Sequence, residues 1–415
     1  MYLTIQESRG LSGEIPVYGS KNASLPLLAA CLLTSETVTL HNIPAIRDLF
    51  SMKEIMTSLG ASVVQEGDTV HITATTVATK EISADVVGML RGSILLLGAL
   101  LGRNKAVTLP LPGGDIIGAR PIDAHLDVFE QLGAHVEAID DHVTIDGKDM
   151  KAGTVVLKEF SVTATENVLL VASTLPGTTT IHIAAAEPHV VALCGLLRAM
   201  GADISGDGTH TIIVQGIEKL HGAQVTNIPD MLEAGFFILL AAATRSELTV
   251  THVPVDHLLL FFKKCEEIGI QYKISGTSVT VFPSELKPFK MQVLPFPGIP
   301  TDLQAPFAVI ATQAHGSSLI HDPLYEGRFK HIFELEKMGA KAVVCDPHRV
   351  IINGPTQLVG RRIPSLDLRS GATLIIAGFI AKGTTTIDQA ELIGRGYANI
   401  VPRLKAIGAN IEQHD

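Results

Sequence analysis

One short element occurs six times in this chain at almost constant spacing, and it limits the fold more than any other feature. The copies read Ser58-Leu-Gly-Ala-Ser, Gln131-Leu-Gly-Ala-His, Ala199-Met-Gly-Ala-Asp, Glu267-Ile-Gly-Ile-Gln, Lys337-Met-Gly-Ala-Lys and Ala406-Ile-Gly-Ala-Asn. Their glycines, Gly60, Gly133, Gly201, Gly269, Gly339 and Gly408, are 73, 68, 68, 70 and 69 residues apart. Each follows an amphipathic segment and precedes an alternating one, which predicts a helix ended by a left-handed glycine and then a strand. A β-rich stretch recurs in phase, for example Thr37-Val-Thr-Leu-His and Thr178-Thr-Thr-Ile-His. Before each stretch lies an Ala/Leu-rich run: 24–33, 93–101, 166–174, 232–243, 303–314 and 371–381. These runs are apolar nearly all round, so they are predicted to be buried helices. The unit is apolar helix, strand, amphipathic helix, glycine, strand pair. An open array of such units would show atypical capping copies at its ends. None is evident, and two closed three-unit domains suit the usual domain size.

Composition agrees with large cores. Hydrophobic residues make up 46% of the 415 residues and charged residues 18%. Lys+Arg number 32 and Asp+Glu 42, a net charge of −10, which argues against broad nucleic-acid binding but not against a local anion pocket. The four cysteines (Cys31, Cys194, Cys265 and Cys345) are too few and scattered for a disulfide framework, and none forms a CxxC pair. No secretory pattern opens the chain. No apolar run approaches the ~20 residues of a membrane span. The expectation is a cytoplasmic protein without membrane insertion.

Polar residues collect where the apolar helices begin. Asp, Thr and Asn there are ordinary caps. Lys21, Arg91 and Arg369 are not, because a cation in a first turn opposes the helix dipole. Arg120, Arg328 and Arg395 sit in glycine-flanked loops, Pro112-Gly-Gly-Asp-Ile-Ile-Gly-Ala-Arg120, Glu326-Gly-Arg328 and Gly394-Arg-Gly396. Singly each would pass for a solvated charge. Three in like contexts, in an acidic chain, point to a site for carboxylate or phosphate. Neither a P-loop nor a GxGxxG motif is present.

With Gly19-Ser-Lys-Asn-Ala-Ser-Leu-Pro, Pro300-Thr-Asp-Leu-Gln-Ala, Asp367-Leu-Arg and Arg395-Gly-Tyr added to those loops, the chain resembles, end to end, the UDP-N-acetylglucosamine 1-carboxyvinyltransferases of the enolpyruvyl transferase family. The resemblance implies a two-domain inside-out α/β barrel built from six repeats of about 70 residues, with residues 21–228 as one domain and 1–20 plus 229–415 as the other. It implies transfer of enolpyruvate from phosphoenolpyruvate to the 3'-hydroxyl of UDP-N-acetylglucosamine, an early step of peptidoglycan synthesis, with no cofactor or metal.

Carried position by position, the resemblance gives Asp115, Lys21, Asp302 and Arg395 catalytic roles. It gives Lys21, Asn22, Arg120, Arg328 and Arg395 contacts to phosphoenolpyruvate. It gives Asn22, Arg91, Arg120, Pro121, Ile122, Asp123, Ala124, Asp302 and Leu324 contacts to the nucleotide sugar. Asp115 stands where most members have cysteine, which implies insensitivity to fosfomycin. Met231, Glu159 and Gly394 also depart from the usual residues. The alternatives are the shikimate 3-phosphate enzyme of the same family and an inactive nucleotide-sugar-binding paralogue. The shikimate enzyme would carry GxKSxxxR and an NAGTAxR-like segment, where this chain has Gly19-Ser-Lys-Asn and Leu90-Arg-Gly-Ser.

Overall fold

The computed structural model describes the chain except residues 79–83, 89, 114–120 and 140, and the side chains of 85, 86 and 139. It divides into two compact units. One comprises residues 1–18 and 229–415, the other the described part of 19–228.

Each repeat contributes an apolar helix: Lys21–Ala30, Leu95–Asn104, Val162–Ala172, Met231–Ala243, Gln304–Gln313 and Leu368–Ile380. All are buried on nearly every face, as their composition requires. The helices at Lys21, Val162 and Leu368 begin three or four residues before the apolar run, because the chain turns helical at the polar cap. Ser20, Ser161, Asp230 and Asp367 each accept from first-turn N–H groups. In the unit formed by 1–18 and 229–415, the three apolar helices pack on one another and share one continuous core. Full burial of each Leu, Ile or Phe there contributes roughly 1.5–3 kcal/mol.

Around the helices stand, among the described residues, six separate sheets, five of four strands and one of three. Helices lie inside and sheets outside, as expected, but no sheet closes on itself among the described residues. Four of the four-stranded sheets follow one plan. A repeat strand such as Val38–His41 pairs antiparallel with a hairpin, Ser62–Glu66 and Thr69–Thr73, and parallel with a short strand, Gln224–Thr226. The sixth repeat contributes the strands Thr384–Asp388 and Ile411–His414. The place of the other hairpin strand is taken by the first strand, Tyr2–Gln6, which lies between Thr384–Asp388 and Ile411–His414. The next strand, Ser12–Pro16, joins Glu247–Thr251 of the fourth repeat.

The six repeat glycines all adopt φ between +89° and +112°. That is why glycine recurs there: any other residue would be strained at a turn that also ends the outer helix. No described helix is long and apolar enough to cross a membrane.

Gly19 is glycine for a different reason. A Cβ at this position would lie 1.7 Å from the Asn42 carbonyl oxygen and 2.9 Å from Asn227 Nδ2. That amide group donates to Ser20 O and Ser24 Oγ, both at 3.0 Å. Gly19→Ala is therefore expected to destabilise by at least ~2 kcal/mol through overpacking. Gly195→Ala, in the outer helix Pro188–Ala199 with open space around it, should stabilise by about 0.5–1 kcal/mol. Urea denaturation of the two variants should give shifts of opposite sign.

Candidate active site

In the unit formed by 19–228, Lys21 is the first residue of its helix, and the dipole objection to a cation there is met by a partner. Lys21 Nζ lies 2.6 Å from Asp48 Oδ2, and both side chains are buried. Asp48 stands in the first turn of the outer helix Arg47–Ser58, where an acid suits the dipole. Asn22, next along, is half-buried. Arg91 opens the 3-10 turn Arg91–Ile94, and its Nη2 donates to the Pro121 carbonyl at 3.3 Å. Pro121 and Ile122 lead into the helix Asp123–Gln131, with Asp123 and Ala124 in its first turn. Asp115 and Arg120 lie outside the described residues. Gly113, just before them, owes its identity to the chain itself: a Cβ there would meet the Gly88 carbonyl oxygen at 1.6 Å.

In the other unit, Asp302 sits in the 3-10 turn Thr301–Leu303 that leads into an apolar helix. One carboxylate oxygen accepts from Arg328 Nη2 at 2.6 Å and the other from Arg369 Nε at 2.9 Å. Burial works against its charge, but Arg369 and then Arg328 outweigh it and hold the carboxyl well below the usual range. Arg369 is fixed from behind. Asp367 caps its helix through the Arg369 and Ser370 N–H groups, and the guanidinium lies 5.4 Å from the Tyr397 ring centre. His331 holds Arg328 through its carbonyl, with Nδ1 at 3.0 Å. Arg395 ends the 3-10 turn Ala390–Arg395 and is half-buried. Leu324 is 41% exposed; its N–H already donates to Asp322 Oδ1, so its carbonyl is what remains for a ligand. Asp322 in turn accepts from Thr301 Oγ1, beside Asp302.

Each unit thus holds one buried cation at the start of an apolar helix beside a carboxylate, Lys21 beside Asp48 in one and Arg369 beside Asp302 in the other. Such pairs can exchange the internal carboxylate for an anionic ligand. They also stabilise negative charge that grows during a reaction, since fixed charges need no reorganisation.

A family profile described as EPSP synthase (3-phosphoshikimate 1-carboxyvinyltransferase) matches residues 5–404. The chain belongs to the EPSP synthase family. Among its relatives in that family is the Listeria monocytogenes protein named UDP-N-acetylglucosamine 1-carboxyvinyltransferase 2, 40% identical over 99% of this chain and 97% of its own. The Desulfosudis oleivorans protein named UDP-N-acetylglucosamine 1-carboxyvinyltransferase is 37% identical over 99% of both chains. Among solved structures, the enolpyruvyl transferase NikO from Streptomyces tendae matches with a TM-score of 0.90 and 27% identity over 99% of this chain and 98% of that one. EPSP synthase from Acinetobacter baumannii, at 19% identity and a TM-score of 0.77 over 99% of each chain, shares the fold. The enolpyruvyl transferase fold that the resemblance implies is the fold of this family member.

Two partners in these clusters were not assigned by sequence. Arg369 was conspicuous as a first-turn cation but received no role. Asp48 gave no signal, since a first-turn acid is an ordinary dipole complement.

The site's histidines give the family member an acid-sensitive fold. Burial pushes His331 down to about 4 and His125, near the Arg91 charge, down to about 3. The unfolded chain protonates both near their ordinary value of ~6.5, while the folded chain stays neutral. Stability must therefore fall as pH drops from about 6.5 towards 4. Denaturation midpoints at pH 7 and pH 5 should show the loss, and His331→Gln should reduce it.

Proposed function

We propose that this family member transfers the enolpyruvyl group of phosphoenolpyruvate to the 3'-hydroxyl of UDP-N-acetylglucosamine and releases phosphate, the first committed step of peptidoglycan synthesis. The observation that carries the reading is the near-full-length identity of 37–40% to relatives so named. The paired cations and carboxylates supply a chemistry that fits it. The reading places the work in the cytoplasm, with small-molecule substrates. It takes residues 21–228 as one functional domain and residues 1–20 with 229–415 as the other.

The acceptor oxygen bonds to C2 of phosphoenolpyruvate while C3 takes a proton, giving a tetrahedral adduct. Loss of a proton from the new methyl group and departure of phosphate from C2 restore the double bond. Negative charge stays on phosphate and carboxylate throughout. Lys21, Arg120, Arg328 and Arg395 balance it, with Asn22 as a polar contact. Arg91, Pro121 through Ala124 and the Leu324 carbonyl hold the nucleotide sugar. Asp115 carries the proton at C3, which requires its carboxyl to be neutral at the start of the cycle.

Asp302 takes the hydroxyl proton. A carboxylate bonded to two arginines is a weak base, so the arginines must first pass their bonds to a substrate anion. The same exchange that binds phosphoenolpyruvate then raises the basicity of Asp302.

A phosphate-release assay with phosphoenolpyruvate tests the proposal, with UDP-N-acetylglucosamine in one arm and shikimate 3-phosphate in the other. Release in the first arm alone is expected. Release in the second arm alone would transfer the assignment to the shikimate enzyme, and release in neither would favour a binding paralogue.

A further inference from the structure

The start of the helix Asp123–Gln131 is tied to its neighbours by one buried side chain, and hydrogen-bond chemistry fixes its state. His125 is 3% exposed. Its Nδ1 lies 2.8 Å from Asn167 Nδ2, and its Nε2 lies 3.2 Å from Thr163 Oγ1. The Asn167 carboxamide has one orientation open to it. Its oxygen accepts from the Gly98 N–H at 2.8 Å, and its nitrogen donates to the Ile94 carbonyl at 3.1 Å. The remaining amide proton points at the imidazole, so His125 Nδ1 must accept. A neutral imidazole has one proton, which therefore sits on Nε2 and is donated to Thr163. An imidazolium would set one N–H against another. Burial, with the Arg91 charge nearby, lowers the His125 pKa to about 3 and agrees with this state.

The chain closes a loop of contacts. Asn167 grips Ile94, the last residue of the turn that Arg91 opens, and Arg91 grips the Pro121 carbonyl. His125 completes the loop four residues after Pro121. Residues 121–124 are held in register with Arg91 from both sides. A core histidine kept only for packing would need neither a fixed tautomer nor this closed set of partners.

We infer that His125, as the neutral tautomer protonated at Nε2, is a positioning residue for the nucleotide-sugar acceptor. It acts through Arg91 and residues 121–124 and touches no reacting atom. The inference rests on the reading given above, that those residues contact UDP-N-acetylglucosamine.

Two measurements on the full-length protein test it. Nitrogen NMR of histidine-labelled protein at pH 7 should show His125 with Nδ1 unprotonated and Nε2 protonated. A proton on Nδ1, alone or as imidazolium, would overturn the inference. In steady-state kinetics, His125→Phe keeps the volume but loses both bonds. It should raise KM for UDP-N-acetylglucosamine at least about tenfold, with KM for phosphoenolpyruvate and kcat changed less than about threefold. His125→Gln, which offers an acceptor and a donor, should keep the acceptor KM within about threefold. If His125→Phe does not fold, His125→Asn, too short to reach Thr163, takes its place. Equal changes in both KM values, or none, in an active background would overturn the positioning role alone. Lack of turnover by the unaltered protein would instead be a failure of the functional reading, and this inference would fall with it.

Discussion

Asp302→Asn is expected to reduce kcat at least ~10²-fold, the range set by loss of a positioned proton acceptor. The same variant should lose ~3 kcal/mol of stability, because Arg328 and Arg369, 11% and 6% exposed, are left without the carboxylate they share. The two losses have separate causes and separate readouts, turnover and urea denaturation. The pH behaviour follows from the sign of the shift. The folded carboxyl stays ionised well below the ordinary ~3.9, so its stabilisation is complete above that value and fades as pH falls beneath it. The stability gap between unaltered protein and Asp302→Asn should thus be constant from pH 7 to about 4.5 and shrink in stronger acid. Protonation of Asp302 should add no acid limb to kcat/KM in the same interval. Full turnover by Asp302→Asn would reduce the residue to a structural counter-ion.

Asp115→Asn is expected to abolish turnover, by ~10²-fold or more, since an amide cannot cycle a proton. Asp115 lies outside the described residues, so this expectation comes from its place in the Pro112-Gly-Gly-Asp motif and the family resemblance. The unaltered protein should be insensitive to fosfomycin, because a carboxylate is a far weaker nucleophile than a thiolate. No other cysteine is suited to replace it. Cys31, Cys194 and Cys265 are buried, and burial pushes their thiols up, Cys194 to about 12. Cys345 is exposed and lies on the outer strand Lys341–Asp346. Asp115→Cys should keep turnover and gain time-dependent inactivation, with the adduct on the new thiol by mass spectrometry. A covalent adduct on Asp115 of the unaltered protein would contradict the chemistry given to this position.

The repeats were legible because each ends in a residue with a backbone requirement. Six glycines at positive φ mark six helix ends, and the periodicity alone divides the chain into like units. Helix starts were less visible. The apolar run does not include the cap and first turn, so Lys21–Ala30 and Val162–Ala172 begin before the runs at 24–33 and 166–174 do. The use of Tyr2–Gln6 to complete the sixth repeat could not be read from a short alternating segment, since pairing across 378 or more residues leaves no local trace.

The same division holds at the candidate site. Lys21, Arg91 and Arg369 stood out because each opposes a helix dipole. Their partners Asp48 and Pro121 O did not, because an acid in a first turn and a carbonyl in a loop look ordinary in any sequence. His125 gave no signal for a like reason: its role lies in two partners, Thr163 and Asn167, 38 and 42 residues away along the chain.

The central claim is the transfer itself, and product analysis tests it most directly. Purified protein should be incubated with phosphoenolpyruvate and UDP-N-acetylglucosamine, and the nucleotide product examined by mass spectrometry and NMR. The account predicts an enolpyruvyl ether at the sugar 3'-hydroxyl, formed in equal amount with phosphate and at least ~10²-fold more slowly by Asp302→Asn. Unchanged UDP-N-acetylglucosamine beside a folded, substrate-saturated protein would contradict it.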